Sequence, residues 1–192
     1  MKKTLIAAIA AVAIGTVAYG QGLVQFNNSG TTLVNVDLGE GLVPAAANSG
    51  FVQLLWAPVG TTDLSLFQPT LNAASGNITA DGAARFISAG RFSGGTITIP
   101  GIAPGGATAL VVRGWLGTAA TWDEALAQGA ATGWSAIFTM SETGNPTTVP
   151  AGTPIATSGS FPAGMVIAIP EPTSMALAGL GAAALLIFRR RK

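Results

Sequence analysis

Short apolar runs with a period of two, cut by glycine, proline and asparagine, constrain the fold of this chain more than any other feature. Alternation turns one face of a strand towards a core and the other towards solvent. Val34, Val36 and Leu38 share a face, with Asn35 and Asp37 opposite. Val52, Leu54 and Trp56 oppose Phe51, Gln53 and Leu55. Ile97 and Ile99 alternate with Thr96 and Thr98, and Leu110 and Val112 with Val111, Arg113 and Trp115. Ala136, Phe138 and Met140 oppose Ser135, Ile137 and Thr139. Met165, Ile167 and Ile169 end the series, and Leu23–Asn27 and Arg85–Ser88 are shorter strands. Between them lie Asn28-Ser29-Gly30, Asn48-Ser49-Gly50, Asp81-Gly82, Ser93-Gly94-Gly95 and Pro104-Gly105-Gly106, all turn-forming. Asp81-Gly82 has the composition of a two-residue hairpin turn. About eight strands so spaced predict an all-β body, an antiparallel sandwich or jelly roll.

One helix interrupts the strands. Thr121 and Glu124 have capping-box spacing, which predicts that the Thr hydroxyl accepts from the amide of residue 124 and the Glu carboxylate from that of Thr121. Asp123 and Glu124 suit a helix N-terminus, and Gly129 is a natural stop. Two turns do not stand alone, so Trp122, Ala125 and Leu126 are expected to dock the helix on the sheet. The Pro- and Thr-rich stretch from Thr143 to Pro154 reads as an extended loop before the last strand.

Composition narrows the chemistry. The 192 residues include no Cys and no His. From Gln21 to Ile169 there is also no Lys or Tyr, and only Arg85, Arg91 and Arg113 are basic. Asp37, Glu40, Asp63, Asp81, Asp123, Glu124 and Glu142 bring this body to a net charge of −4, although the whole chain is +1. Thiol nucleophiles, Ser-His-Asp triads, Schiff-base lysines, His or Cys zinc sites and haem ligation are excluded. Nucleic-acid binding is disfavoured, because phosphates require clustered Lys and Arg. With 26 Gly and 11 Pro in 192 residues, the chain stays below the ~25–30 % typical of low-complexity sequence. No cofactor and no metal are expected.

The two ends read as delivery segments. Residues 1–20 have the form of a secretory signal: Lys2 and Lys3, an uncharged run from Leu5 to Ala18, then Ala18-Tyr19-Gly20. Small residues at Ala18 and Gly20 fit signal peptidase, with cleavage leaving Gln21 first. As a helix the run spans only ~21 Å, short of a ~30 Å hydrocarbon core. At the other end Pro170-Glu171-Pro172 precedes an uncharged stretch, Thr173 to Phe188, and then Arg189-Arg190-Arg191-Lys192. The basic cluster is expected to stay cytoplasmic while the helix spans. At ~24 Å and containing Gly179 and Gly181, that helix suits a brief tether better than a permanent anchor. The prolines keep the peptide before it extended and open to an enzyme. The expected organisation is a signal helix (1–20), a β-sandwich body (21–169) and a tail (170–192) with a membrane helix (173–188) and a basic end (189–192).

Pro170-Glu171-Pro172, the apolar stretch and the terminal Arg cluster resemble the PEP-CTERM sorting signal of Gram-negative bacteria, a segment also described as a C-terminal domain of ice-binding proteins. The resemblance implies processing by an exosortase, a membrane-embedded Cys transpeptidase-like enzyme, and an envelope or extracellular destination, often alongside exopolysaccharide production. Val52-Gln53-Leu54-Leu55-Trp56, Val111-Val112-Arg113-Gly114-Trp115 and Thr121-Trp122-Asp123-Glu124-Ala125 resemble segments of PEP-CTERM proteins from the Verrucomicrobia and Planctomycetes group. No activity, and so no catalytic residue, carries over from those bodies.

Within the body, acid–base chemistry at neutral pH falls to carboxylates. The only adjacent pair, Asp123 and Glu124, points about 100° apart on a helix and does not converge on one substrate bond. Asp37 and Glu40, beside Gly39 and Gly41, supply two acids where calcium needs about six to eight oxygens. Trp115, Trp122 and Trp134 lie close in sequence and carry two open readings: rings that stack on sugars, or rings that fill the core where helix meets sheet. Thr96-Ile97-Thr98 resembles the Thr-x-Thr row of some ice-binding surfaces, but the row occurs once where a flat face needs many. Asn27-Asn28-Ser29 and Asn77-Ile78-Thr79 match the N-glycosylation pattern. The chain is thus expected to be an exported, non-enzymatic surface or matrix protein of structural or adhesive role. The alternative is a carbohydrate-binding module for exopolysaccharide.

Overall fold

The computed structural model describes residues 21–37, 39, 41–72, 82–145, 153–154 and 164–168. The expected signal and membrane helices (1–20 and 173–188) lie outside these residues. Among the described residues no helix is long and apolar enough to cross a membrane.

The all-β expectation for the body holds. Among the described residues thirteen strands are formed: β1 (Gly22–Asn27), β2 (Val34–Asp37), β3 (Leu42–Pro44), β4 (Gly50–Ala57), β5 (Gln68–Pro69), β6 (Leu71–Asn72), β7 (Ala83–Ser88), β8 (Arg91–Ile99), β9 (Thr108–Leu116), β10 (Thr132–Trp134), β11 (Phe138–Met140), β12 (Thr153–Pro154) and β13 (Met165–Ala168). A 3₁₀ turn covers Leu64–Leu66, and one helix, α1, covers Trp122–Ala127. The strands join in one path, β12-β1-β8-β7-β4-β9-β10-β13-β2-β3, with β11 beside β9, β5 beside β4 and β6 beside β8. Most neighbours are antiparallel, as expected. The exceptions are β1 with β12 and β13 with β2, which run parallel.

The path curls on itself. Val24 and Phe26 of β1 and Phe92, Ile97 and Ile99 of β8 share a single buried cluster with Val52 and Leu54 of β4, Leu110 and Val112 of β9, Met165 and Ile167 of β13, and Val34 and Val36 of β2. Strands from both halves of the path therefore enclose one core. Register shifts lie where β8 meets β1 and where β8 meets β7. Bulges of this kind bend a strand and raise its twist. Between β7 and β8 the chain reverses in a tight turn, which Gly90 allows at φ +63.

Several local expectations are corrected. Ser93-Gly94-Gly95 is not a spacer but lies inside β8. Gly94 is small because Phe26 lies against it: a Cβ there would sit 2.5 Å from the ring's Cδ1. The strand expected from Ser135 begins at Phe138, because the Ser135 hydroxyl accepts from the Val112 amide and donates to the Ala136 carbonyl. The Asp81-Gly82 turn falls at Asp81 outside the described residues, and β6, before it, pairs with β8. In α1 the Thr121 hydroxyl accepts from the Glu124 amide as expected, but the Glu124 carboxylate accepts from Ala120, one residue earlier than expected. Gly129 ends the segment at φ +66. Trp122 and Ala125 are buried, but Leu126 is 51 % exposed and is not an anchor. A two-turn helix covers only a narrow strip of sheet, and Leu126 falls beyond it.

Candidate functional site

The two segments expected to serve delivery adjoin core strands directly in sequence. β1 opens at Gly22, next to the expected new N-terminus, and buries Val24 and Phe26. β13 lies between β10 and β2, pairing Thr132 with Ala168 and Met165–Ala168 with Val34–Asp37. It buries Met165 and Ile167 and stops at Ala168. Ala18 and Gly20, Pro170, Glu171 and Pro172, and Arg189, Arg190, Arg191 and Lys192 all lie outside the described residues.

The three tryptophans do come together. β4 and β9 run side by side over eight paired residues, Gly50 with Leu116 through Ala57 with Ala109. Their inner residues enter the main core, and their outer face carries two further clusters. There Phe51, Trp115, Trp122 and Trp134 form a relay of rings with centroids 5.6, 5.9 and 5.2 Å apart. Trp115 is fully buried, and its indole N–H donates to the Ala119 carbonyl at 2.9 Å. Trp122 is buried under α1, and Trp134 is half-buried. The Arg113 guanidinium sits 4.7 Å from the Trp122 centroid and 5.8 Å from that of Trp134, and its Nε donates to Gln53. This is packing geometry: Trp115 has no free face to offer a sugar.

Three of the acids cap turns. Asp37 accepts from the Gly39 amide, and Glu124 from Ala120. Asp63 accepts from the Ser65 amide and then its hydroxyl, which together hold its carboxyl below the ordinary value of 3.8. Glu40 lies outside the described residues. Among the described residues no three potential metal ligands gather.

Sequence reasoning missed a hollow on the other outer face. Between Gln25 paired with Thr96 and Asn27 paired with Ser93, β8 has one residue more than β1. Gly94 and Gly95 therefore oppose Phe26 alone, with Gly95 at φ +69. Gly at this φ is the mark of a common bulge type. The bulge leaves a hollow of about 200 Å³ lined by Gln25, Asn27, Ser93, Gly95 and Thr96. Asn27 Oδ1 is buried with no hydrogen-bond partner. The adjacent Asn28 is structural instead: its amide donates to Thr32 and Gly90, and its oxygen accepts from Phe92. The available signal was the pair of outward amides on β1 opposite a Gly-Gly step in β8.

Residues 168–192 match the PEP-CTERM protein-sorting motif. The chain thus carries the signal of an exported protein that an exosortase processes. The match begins on the last residue of β13, so the motif follows the body without a spacer. No curated protein and no solved structure matches the chain.

Proposed function

We propose that the protein is a non-enzymatic component of the cell surface or extracellular matrix, structural or adhesive, delivered by its two ends. Signal peptidase removes residues 1–20. Residues 173–188 then hold the folded, sandwich-like body at the membrane until exosortase cuts near Pro170-Glu171-Pro172. The observation that carries this reading is the sorting motif joined directly to a core strand. From Ala168 to Thr173 an extended chain reaches at most about 18 Å, which keeps the uncut body close to the bilayer. The capping roles of Asp37, Asp63 and Glu124 support a non-enzymatic body, since those carboxylates already serve turns. Deleting residues 170–192 tests the reading: the full chain should reach the surface fraction and the deletion variant should not. Equal surface delivery of both forms, or hydrolysis by the processed protein that is lost on substituting one acid, contradicts it.

The second reading is a module that binds exopolysaccharide. It is favoured by the uncharged, polar hollow between β1 and β8.

A further inference from the structure

We infer that the hollow at the β8 bulge binds one unit of a neutral glycan chain, with Asn27 as its main polar contact. This deepens the second reading above and rests on it. The lining is two carboxamides (Gln25, Asn27), two hydroxyls (Ser93, Thr96) and the backbone at Gly95. Such a set both donates and accepts hydrogen bonds and contains no charge. Phosphates, carboxylates and metal ions find no counter-charge there, whereas a ring bearing several hydroxyls finds neutral donors and acceptors. The lining has no aliphatic or aromatic side chain, so it lacks the apolar pockets that read alternate side chains of a bound peptide strand.

Size points the same way. At about 200 Å³ the hollow is smaller than the ~300–1,000 Å³ of sites for drug-sized ligands. It suits a single ring, and because it opens on the sheet surface the rest of a chain can continue past it. Asn27 supplies the independent observation. A buried acceptor without a partner costs about 1–3 kcal/mol, and native structures leave few of them. The Asn27 carboxamide has to turn to present Oδ1 to the hollow, and there a ligand hydroxyl donating to it removes that cost. Gly95 keeps the hollow open, since its φ of +69 is one that L side chains rarely adopt.

The test uses the processed protein recovered from its own cells, with neutral oligomers of glucose, galactose, mannose and N-acetylglucosamine as probes in calorimetry. At least one oligomer should bind, and Asn27→Leu should weaken binding at least tenfold without lowering the melting temperature. Ser93→Val should weaken it severalfold, whereas Trp134→Phe should leave it unchanged. In spectra of the ¹⁵N-labelled protein, the side-chain amides of Gln25 and Asn27 should shift on titration, a readout that needs no variant. Binding that survives both hollow substitutions, with those amides unmoved, overturns the hollow but leaves a glycan module in place. Failure of every neutral oligomer to bind overturns both. Binding of acidic saccharides or of peptides alone overturns the assignment of a neutral glycan.

Discussion

The curled sheet has two outer faces, and the chain treats them in opposite ways. Behind β4 and β9 the outward residues are large and apolar (Phe51, Leu55, Val111 and Trp115), and α1, Phe67 and the segment around Trp134 cover them. Behind β1 and β8 the outward residues are Leu23, Gln25, Asn27, Arg91, Ser93, Thr96 and Thr98, which stay at least partly exposed. Both pairs of strands turn aliphatic and aromatic side chains into the same core. The difference therefore lies wholly in the outward positions. The covered face supplies stability to a body that has no disulfide. Among the described residues the second face is bare, and it supplies little.

Substitutions on each face probe that contrast. The largest effect is expected on the covered face: Trp115→Ala should cost about 3–5 kcal/mol, as for other buried aromatic truncations, read as a fall in the denaturation midpoint. Gly94→Ala tests the wall between core and bare face. Its methyl would collide with the Phe26 ring, and such overpacking costs typically about 1–3 kcal/mol. Thr121→Ala removes the cap of α1 and should cost about 1 kcal/mol, less than either. Asn27→Leu, on the bare face, removes an unpartnered buried acceptor and should leave stability no lower than the parent's. A large loss there would mean that the bare face is structural too. The smallest effect concerns pH. The Asp63 carboxyl, held low first by the Ser65 amide, is exposed. The stability it contributes is present above its unfolded pKa and is lost as pH falls through its lowered folded value. Asp63→Asn should melt slightly below the parent protein at neutral pH and together with it in acid.

Much of this was legible from period and capping. The alternation in Val34–Asp37, Ile97–Ile99 and Phe138–Met140 gave strands whose buried faces are those expected. Thr121, Glu124 and Gly129 placed α1 to within a residue. β4 shows where alternation fails. Phe51-Val52-Gln53-Leu54-Leu55 is apolar at almost every position because both its faces are covered, and period alone does not say what covers the second. The hollow was illegible for a related reason. Ser93-Gly94-Gly95 has the composition of a turn, and only its pairing with β1 shows it to be a bulge that packs Phe26 on one side and opens a space on the other. The parallel pairing of β13 with β2 joins residues far apart in sequence, which no local pattern encodes.

The two ends of the body meet in one requirement. β1 starts where the signal should be cut, and β13 ends where the sorting motif begins, so processing must stop short of both strands for the core to survive. Mass spectrometry of the protein taken from the cell surface tests this most directly. The surface form is expected to begin at Gln21, retain Met165–Ala168 and lack residues 173–192. A surface form that still carries residues 173–192, or one cut before Met165, would contradict it.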